Sequence, residues 1–167
     1  MNIQRLEMMK QMLGRVVAGS WEPVSSIPAN ERLTTEIQTL SIVSVDLNSW
    51  SELKTRYPKN TCGFSACAVG HACFDEEFRK LGWSWEGNIP VFDKLIGWYA
   101  VEKFFDIYER TAESLFMSQM YDSAHRSKYQ HIPKNIREAQ MVHDRIDLLI
   151  QYANENKFNR QVRGLMQ

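Results

Sequence analysis

Three cysteines, Cys62, Cys67 and Cys73, and one histidine, His71, fall within twelve positions, and their types and spacing admit metal or thiol chemistry. On a helix turning about 100° per residue, Cys67 and His71 lie about 40° apart and one turn along, the spacing that presents two ligands to one metal. Cys73 then points about 200° from His71 and cannot complete the same tetrahedron, and Cys62 can join only from a turn before the helix. No paired C-x-x-C set accompanies them, so the expectation is no metal and small buried residues on a core stripe.

Cys62 suggests a second chemistry. It stands where a helix is expected to begin, and the partial positive charge of a helix start lowers a thiol's pKa toward the reactive thiolate. A cysteine hydrolase also needs a histidine base, for which His125 and His131 are the candidates if the fold brings them near. Gly63 and Gly70 suit close backbone approach or a tight first turn. They do not make a phosphate loop, which would follow a strand and carry a Lys-Ser/Thr pair or a third spaced glycine.

Two further groups are candidate binding residues. Lys134, Arg137 and Arg145 lie on the last expected helix and could hold an anionic small ligand such as a nucleotide, although Glu138, Asp144 and Asp147 interleave with them as on a solvated face. Trp21, Trp83 and Trp85 sit in turn-rich stretches, where a tryptophan is less assured of a buried helix contact and suits a contact surface.

The elements that must position these residues read as mostly helical. Ile3, Leu6, Met9, Leu13, Val16 and Val17 recur at helical spacing, and Gly19 and Pro23 end that helix. A weaker helix is expected from Pro28 to Leu40, and a short one capped by Asn48 or Ser49 runs through Arg56. Ser41 to Leu47 is the one stretch with strand character, and a single strand makes no sheet. Phe64, Cys67, His71, Phe74, Phe78 and Leu81 alternate spacings of three and four, which predicts a helix over 61–81 closed by Gly82. Helices follow from Val91 to about Asp106, with Leu95, Trp98, Val101 and Phe105 on one side, and from Thr111 to Met117. After a polar loop from Asp122 to His131, Pro133 opens a long final helix with Ile136, Ala139, His143, Ile146, Ile150 and Ala153 on a shared face, and its tail frays after Asn154. The expected fold is mainly α: a single compact domain spanning 1–167, of five to seven helices, with a short β element near 41–47.

The composition agrees with that reading. Of 167 residues, 44% are apolar and 11% aromatic, and 20 Lys+Arg balance 20 Asp+Glu, as in an ordinary globular domain able to bury its own core. A net charge of zero supplies no field for nucleic-acid binding. No run approaches the roughly 18 apolar residues that cross a bilayer, and the first residues lack a signal-peptide core. An odd number of clustered cysteines fits free thiols in the reducing cytoplasm.

Asn48-Ser49-Trp50, CGFSACAVGHA from Cys62 to Ala72, AVEKFFDI from Ala100 to Ile107, TAESLF from Thr111 to Phe116 and HDRIDLLI from His143 to Ile150 occur in an informative order. Together they resemble a group of small, largely uncharacterised proteins of bacteriophages and bacteria. In that group a C-G-T-x-x-C-x-x-G-H/W-A helix precedes an alanine-rich helix and an E-A-x-x-L-F segment. The resemblance covers about 48–150 and leaves 1–47 as an N-terminal helical extension. It implies that Cys62, Gly63, Cys67, Gly70 and His71 are the group's motif. Tryptophan often replaces the residue matching His71, which suits a large buried side chain better than a ligand or base. This chain departs from the pattern with Phe64 in place of threonine and an added Cys73.

The expected function is that of a non-enzymatic interaction protein without a cofactor, a bacteriophage accessory or counter-defence factor acting on a protein of the host cytoplasm. Its Met and Trp content suits adaptable contacts. The alternatives are a thiol-dependent enzyme using Cys62 with His125 or His131, and a binder of a nucleotide signal. The first helix, with Met8, Met9, Met12 and Leu13 clustered, can serve the core or pair with a second copy of the chain.

Overall fold

The computed structural model describes residues 1–24, 41–45, 51–54, 63–86 and 89–165. Among them are seven α-helices: α1 (Ile3–Val17), α2 (Ala68–Ala72), α3 (Glu76–Lys80), α4 (Trp98–Phe105), α5 (Glu109–Phe116), α6 (Ser123–Ser127) and α7 (Lys134–Leu165). Six short strands accompany them: β1 (Ser41–Val45), β2 (Ser51–Lys54), β3 (Gly63–Ala66), β4 (Ser84–Glu86), β5 (Ile89–Phe92) and β6 (Leu95–Ile96). The fold is mainly α with minor β elements, as the patterning predicts.

The two helices with the clearest apolar stripes build the frame. Asn2 caps α1, its side-chain oxygen accepting the Arg5 amide proton at 3.1 Å. Leu6, Met9, Met12 and Leu13 of α1 are fully buried. They pack along α7, whose Ala139, Met141, Val142, Ile146 and Ile150 are buried in the same core. Lys10 reaches across to Asp147 at 2.6 Å. The first residues therefore belong to the core and are not an appendage to it. Pro133 sits just before α7 and its carbonyl accepts the Arg137 amide at 2.8 Å, starting the helix. The helix continues to Leu165, past the point where its polar tail was expected to fray.

Three expected helices are corrected. Residues 61–81 do not form one helix: Gly63–Ala66 is β3, and α2 and α3 follow as separate short helices. Cys67 and Asp75 both adopt extended backbone as N-caps, with ψ of 175° and 131°, and each side chain accepts an amide from the turn it starts. Phe74 and Phe78 stay buried, whereas Leu81 is exposed. Ser51–Lys54 is β2 and no helix, since it pairs antiparallel with β3. The segment from Val91 becomes helical only at Trp98. Asp93 and Lys94 take left-handed backbone, φ 50° and 64°, and fold β5 and β6 into a two-residue hairpin. The helix expected over Pro28 to Leu40 lies outside the described residues.

The strands also form sheets, which one β-like stretch could not. β3 is central in the first, parallel to β1 and antiparallel to β2, and β5 is central in the second, between β4 and β6. Within the segment read as a polar loop, Asp122 caps α6 through the His125 amide at 2.6 Å. An aromatic cluster ties the second sheet to the helices: Phe104 of α4 meets Trp83 at 5.1 Å, Phe92 at 5.0 Å and Phe105 at 4.9 Å, ring centre to ring centre. Arg5 closes over Phe104 at 4.5 Å and donates to its carbonyl at 2.7 Å.

Candidate functional site

Three places in the structure gather chemistry-bearing side chains, and the first is the motif. Cys62 lies outside the described residues. Gly63 opens β3, opposite Ser41 of β1 and Lys54 of β2. Cys67 is buried and caps α2, its Sγ accepting the Gly70 amide at 3.3 Å. One turn on, as the spacing requires, His71 is buried with Nδ1 3.0 Å from the Cys67 carbonyl. Its ring meets that of Trp21 at 4.9 Å. Gly70 and Cys73 are buried too. Among the described residues no three of His, Cys, Asp and Glu converge as a metal's ligands.

The centre of this region is a carboxylate that spacing did not single out. Asp75 accepts Arg15 at 2.6 Å and the Trp21 indole N–H at 3.0 Å on one oxygen, and the Glu77 amide at 3.1 Å on the other. It joins the end of α1, the chain that follows it and the start of α3. Its side chain is 3% exposed and that of Arg15 43% exposed. Met8, Gln11, Arg15, Asp75, Glu77 and Phe78 line a cavity of about 160 Å³ beside it. An Asp followed by two Glu is a helix-start signal that the sequence does carry. Its partner Arg15, sixty positions earlier, carries no such signal.

The second place is where the residues flanking α6, Tyr121, Lys128 and Tyr129, meet α7. The His125 ring lies between those of Tyr121 and Tyr129, at 5.1 and 5.3 Å, and its Nε2 is buried without a hydrogen-bond partner. Burial, together with the Arg145 charge, pushes its pKa down from 6.5. Arg145 lies 5.0 Å over the Tyr121 ring. Beside them Asp144 accepts Lys128 at 2.8 Å, Gln140 at 2.7 Å, His143 at 3.3 Å and the Tyr129 hydroxyl. Burial alone would raise its pKa, but these hydrogen bonds hold the carboxyl far below the usual carboxylate range. Burial and the bond to Asp144 push the Tyr129 phenol up to about 12. Tyr121, buried and donating to the Leu115 carbonyl, is likewise shifted upward, chiefly by desolvation.

The two candidate bases thus have different surroundings: His125 faces two tyrosines, and His131 is exposed beside Gln130 at 3.0 Å. The basic trio does not converge. Lys134 is exposed at the start of α7, Arg137 lies 3.9 Å from Glu138, and Arg145 covers Tyr121.

The third place is a surface. Trp83 and Trp85, expected there, are buried instead, because the turn-rich stretch is a hairpin packed on α4 and Phe74. Trp21 is half-buried on His71 and Asp75. Among the described apolar side chains that face outward, Leu95, Ile96 and Tyr99, 38%, 49% and 69% exposed, fall within five residues, whereas Met1, Leu81, Tyr108, Met120, Leu148 and Tyr152 are exposed at scattered places. Leu95 was expected on a buried helix face; the hairpin turn moves it to β6 and outward. Positive-φ backbone at Asp93 and Lys94 precedes the strip, and Gly97, at φ 58°, falls within it. Among the described residues no helix is long and apolar enough to cross a membrane. Comparison of the chain with protein-family models, curated proteins and solved structures finds no match.

Proposed function

We propose that the chain is a non-enzymatic interaction protein that holds a partner protein on the strip formed by β6 and the first turn of α4. The observation that supports this is the outward display of Leu95, Ile96 and Tyr99 within five residues. Large apolar side chains gathered on a surface lose free energy in water that a partner's apolar face restores, at roughly 25 cal/mol for each Å² covered. The backbone around them also stores strain. Asp93 and Lys94 hold left-handed conformations that glycine or asparagine occupies more cheaply, and such outliers concentrate where a surface has to be presented in a fixed shape.

The motif residues support the same reading by being structural. Cys67, His71 and Cys73 are buried and cap or fill the short helices, which suits a scaffold. In this reading the partner is a protein of the host cytoplasm and the chain an accessory or counter-defence factor, a role in keeping with the resemblance of the motif to small proteins of bacteriophages and bacteria.

The test compares the wild-type chain with an Ile96→Asp/Tyr99→Asp variant, each immobilised and exposed to bacterial lysate. A protein held by the first and lost by the second is then purified and its affinity for both measured. The expected result is a loss of at least about tenfold, roughly 1.4 kcal/mol, with unchanged circular dichroism. If the two chains retain the same proteins with equal affinity, the strip is not the binding surface.

A further inference from the structure

From the seat of His125 between Tyr121 and Tyr129, we propose that α6 is an acid-loosened segment: the neutral ring packs between the two tyrosines that dock the segment on α7, and a proton taken up by that ring loosens it.

The neutral ring is apolar enough to sit between Tyr121 and Tyr129 with its Nε2 buried and unbonded. A protonated ring carries an N–H on both nitrogens, so Nε2 would become a buried donor of a charged group with nothing to receive it, a costly state. The anions near it, Asp122 and Asp144, favour the proton, but burial and the Arg145 charge outweigh them. From α7, Arg145 already lies over the Tyr121 ring that His125 also contacts, so protonation places two cations against one aromatic ring. Asp144 is the near anion, but each of its oxygens already takes two donors, Gln140 and His143 on one, Lys128 and Tyr129 on the other. Glu138 is a buried carboxylate of α7 whose charge acts on Tyr121. On the side of α6, Asp122 is engaged by the His125 amide and Lys128 adds a further positive charge.

Loosening is local because α6 itself is lightly held between its two flanking anchors. None of its five residues is buried, and its neighbours Tyr121 and Tyr129 supply the buried anchors of the segment. The sign follows from burial: the folded ring binds its proton less readily than the free one, so opening becomes easier as pH falls below 6.5, the ordinary histidine value. In that range opening grows by up to about tenfold per pH unit, until the folded ring itself titrates.

The test is amide hydrogen exchange on the full chain at pH 7.5 and 5.5, corrected for intrinsic rates, with a proton-carbon NMR titration of the His125 ring. Protection over 123–128 should fall by up to roughly tenfold at the lower pH while that of α1 holds. The His125 ring should titrate below 6.5. His125→Gln should abolish the response, and His143→Gln, which removes the other histidine of the cluster, should leave it. Unchanged protection of 123–128, a His125 titration at or above 6.5, or a response lost in His143→Gln and kept in His125→Gln would each overturn the proposal. The NMR titration decides the matter on the wild-type chain if His125→Gln does not fold.

Discussion

Replacing Asp75 tests how the motif region is held. The carboxylate caps α3, receives the Trp21 indole and pairs with Arg15, so Asp75→Ala removes three interactions at once. Loss of the cap costs about 1 kcal/mol. The indole N–H, half-buried and left without an acceptor, adds about 1 kcal/mol. Arg15 is 43% exposed and regains water, so its share is below about 1 kcal/mol, well short of a fully buried ion pair. The total is roughly 2–3 kcal/mol, a large fraction of the stability of a single domain. Asp75→Asn has a single oxygen, which can serve the cap or the indole but not both, and its amide NH2 faces the donors on the other side, so it should cost about as much as Asp75→Ala, roughly 2–3 kcal/mol. Arg15→Leu leaves the carboxylate its two N–H donors and should also fall near 1 kcal/mol. Urea unfolding followed by tryptophan fluorescence and by circular dichroism measures all three, with an unchanged m-value as the check that only stability moved. An Asn variant much milder than the Ala variant would refute the reasoning, because one oxygen would then suffice for donors that approach two. An Ala variant costing less than about 1 kcal/mol would show that the joint is idle.

Two other expectations concern the hairpin and the acid range. Lys94→Gly should raise stability by about 0.5 kcal/mol, since glycine occupies the left-handed position without the Cβ clash that lysine suffers and gives back part of that gain as unfolded-state entropy; a lower thermal midpoint would contradict it. Asp144 has a folded pKa below its ordinary 3.8, so its contribution is fully present above that value and is lost as pH falls through and below it. The urea midpoint of the wild-type chain should therefore drop between about pH 4 and pH 2.5 by more than that of Asp144→Asn. Equal slopes would mean that the hydrogen bonds to Asp144 do not stabilise its charge.

The long helices were legible in the chain because their cause is local. In α1 and α7 the apolar residues recur every three or four positions over several turns, and such a stripe has one way to be buried. Leu6, Met9, Leu13, Ala139, Ile146 and Ile150 are accordingly in the core where spacing puts them. The segments 61–81 and 91–97 were misread for the opposite reason. Over four to eight residues an apolar run fits helix and strand alike, and what decides between them is whether a partner strand lies alongside. Gly63–Ala66 has β1 and β2 beside it, and Leu95–Ile96 has β5.

The candidate sites divide along the same line. Sequence alone placed Cys67 and His71 one turn apart, and it carries helix-starting residue types at Asp75 and Asp122 that the reading of one long helix and a polar loop passed over. Only the tertiary structure could bring Arg15 and Trp21 to Asp75, set His125 between two tyrosines against Arg145, sink Trp83 and Trp85 into the core and turn Leu95 and Ile96 outward. Capping and helical periodicity act between residues a few positions apart, so the chain records them directly. Burial and charge pairing act through space between residues as far apart as Lys10 and Asp147, 137 positions along the chain, and nothing in their spacing encodes which of them meet.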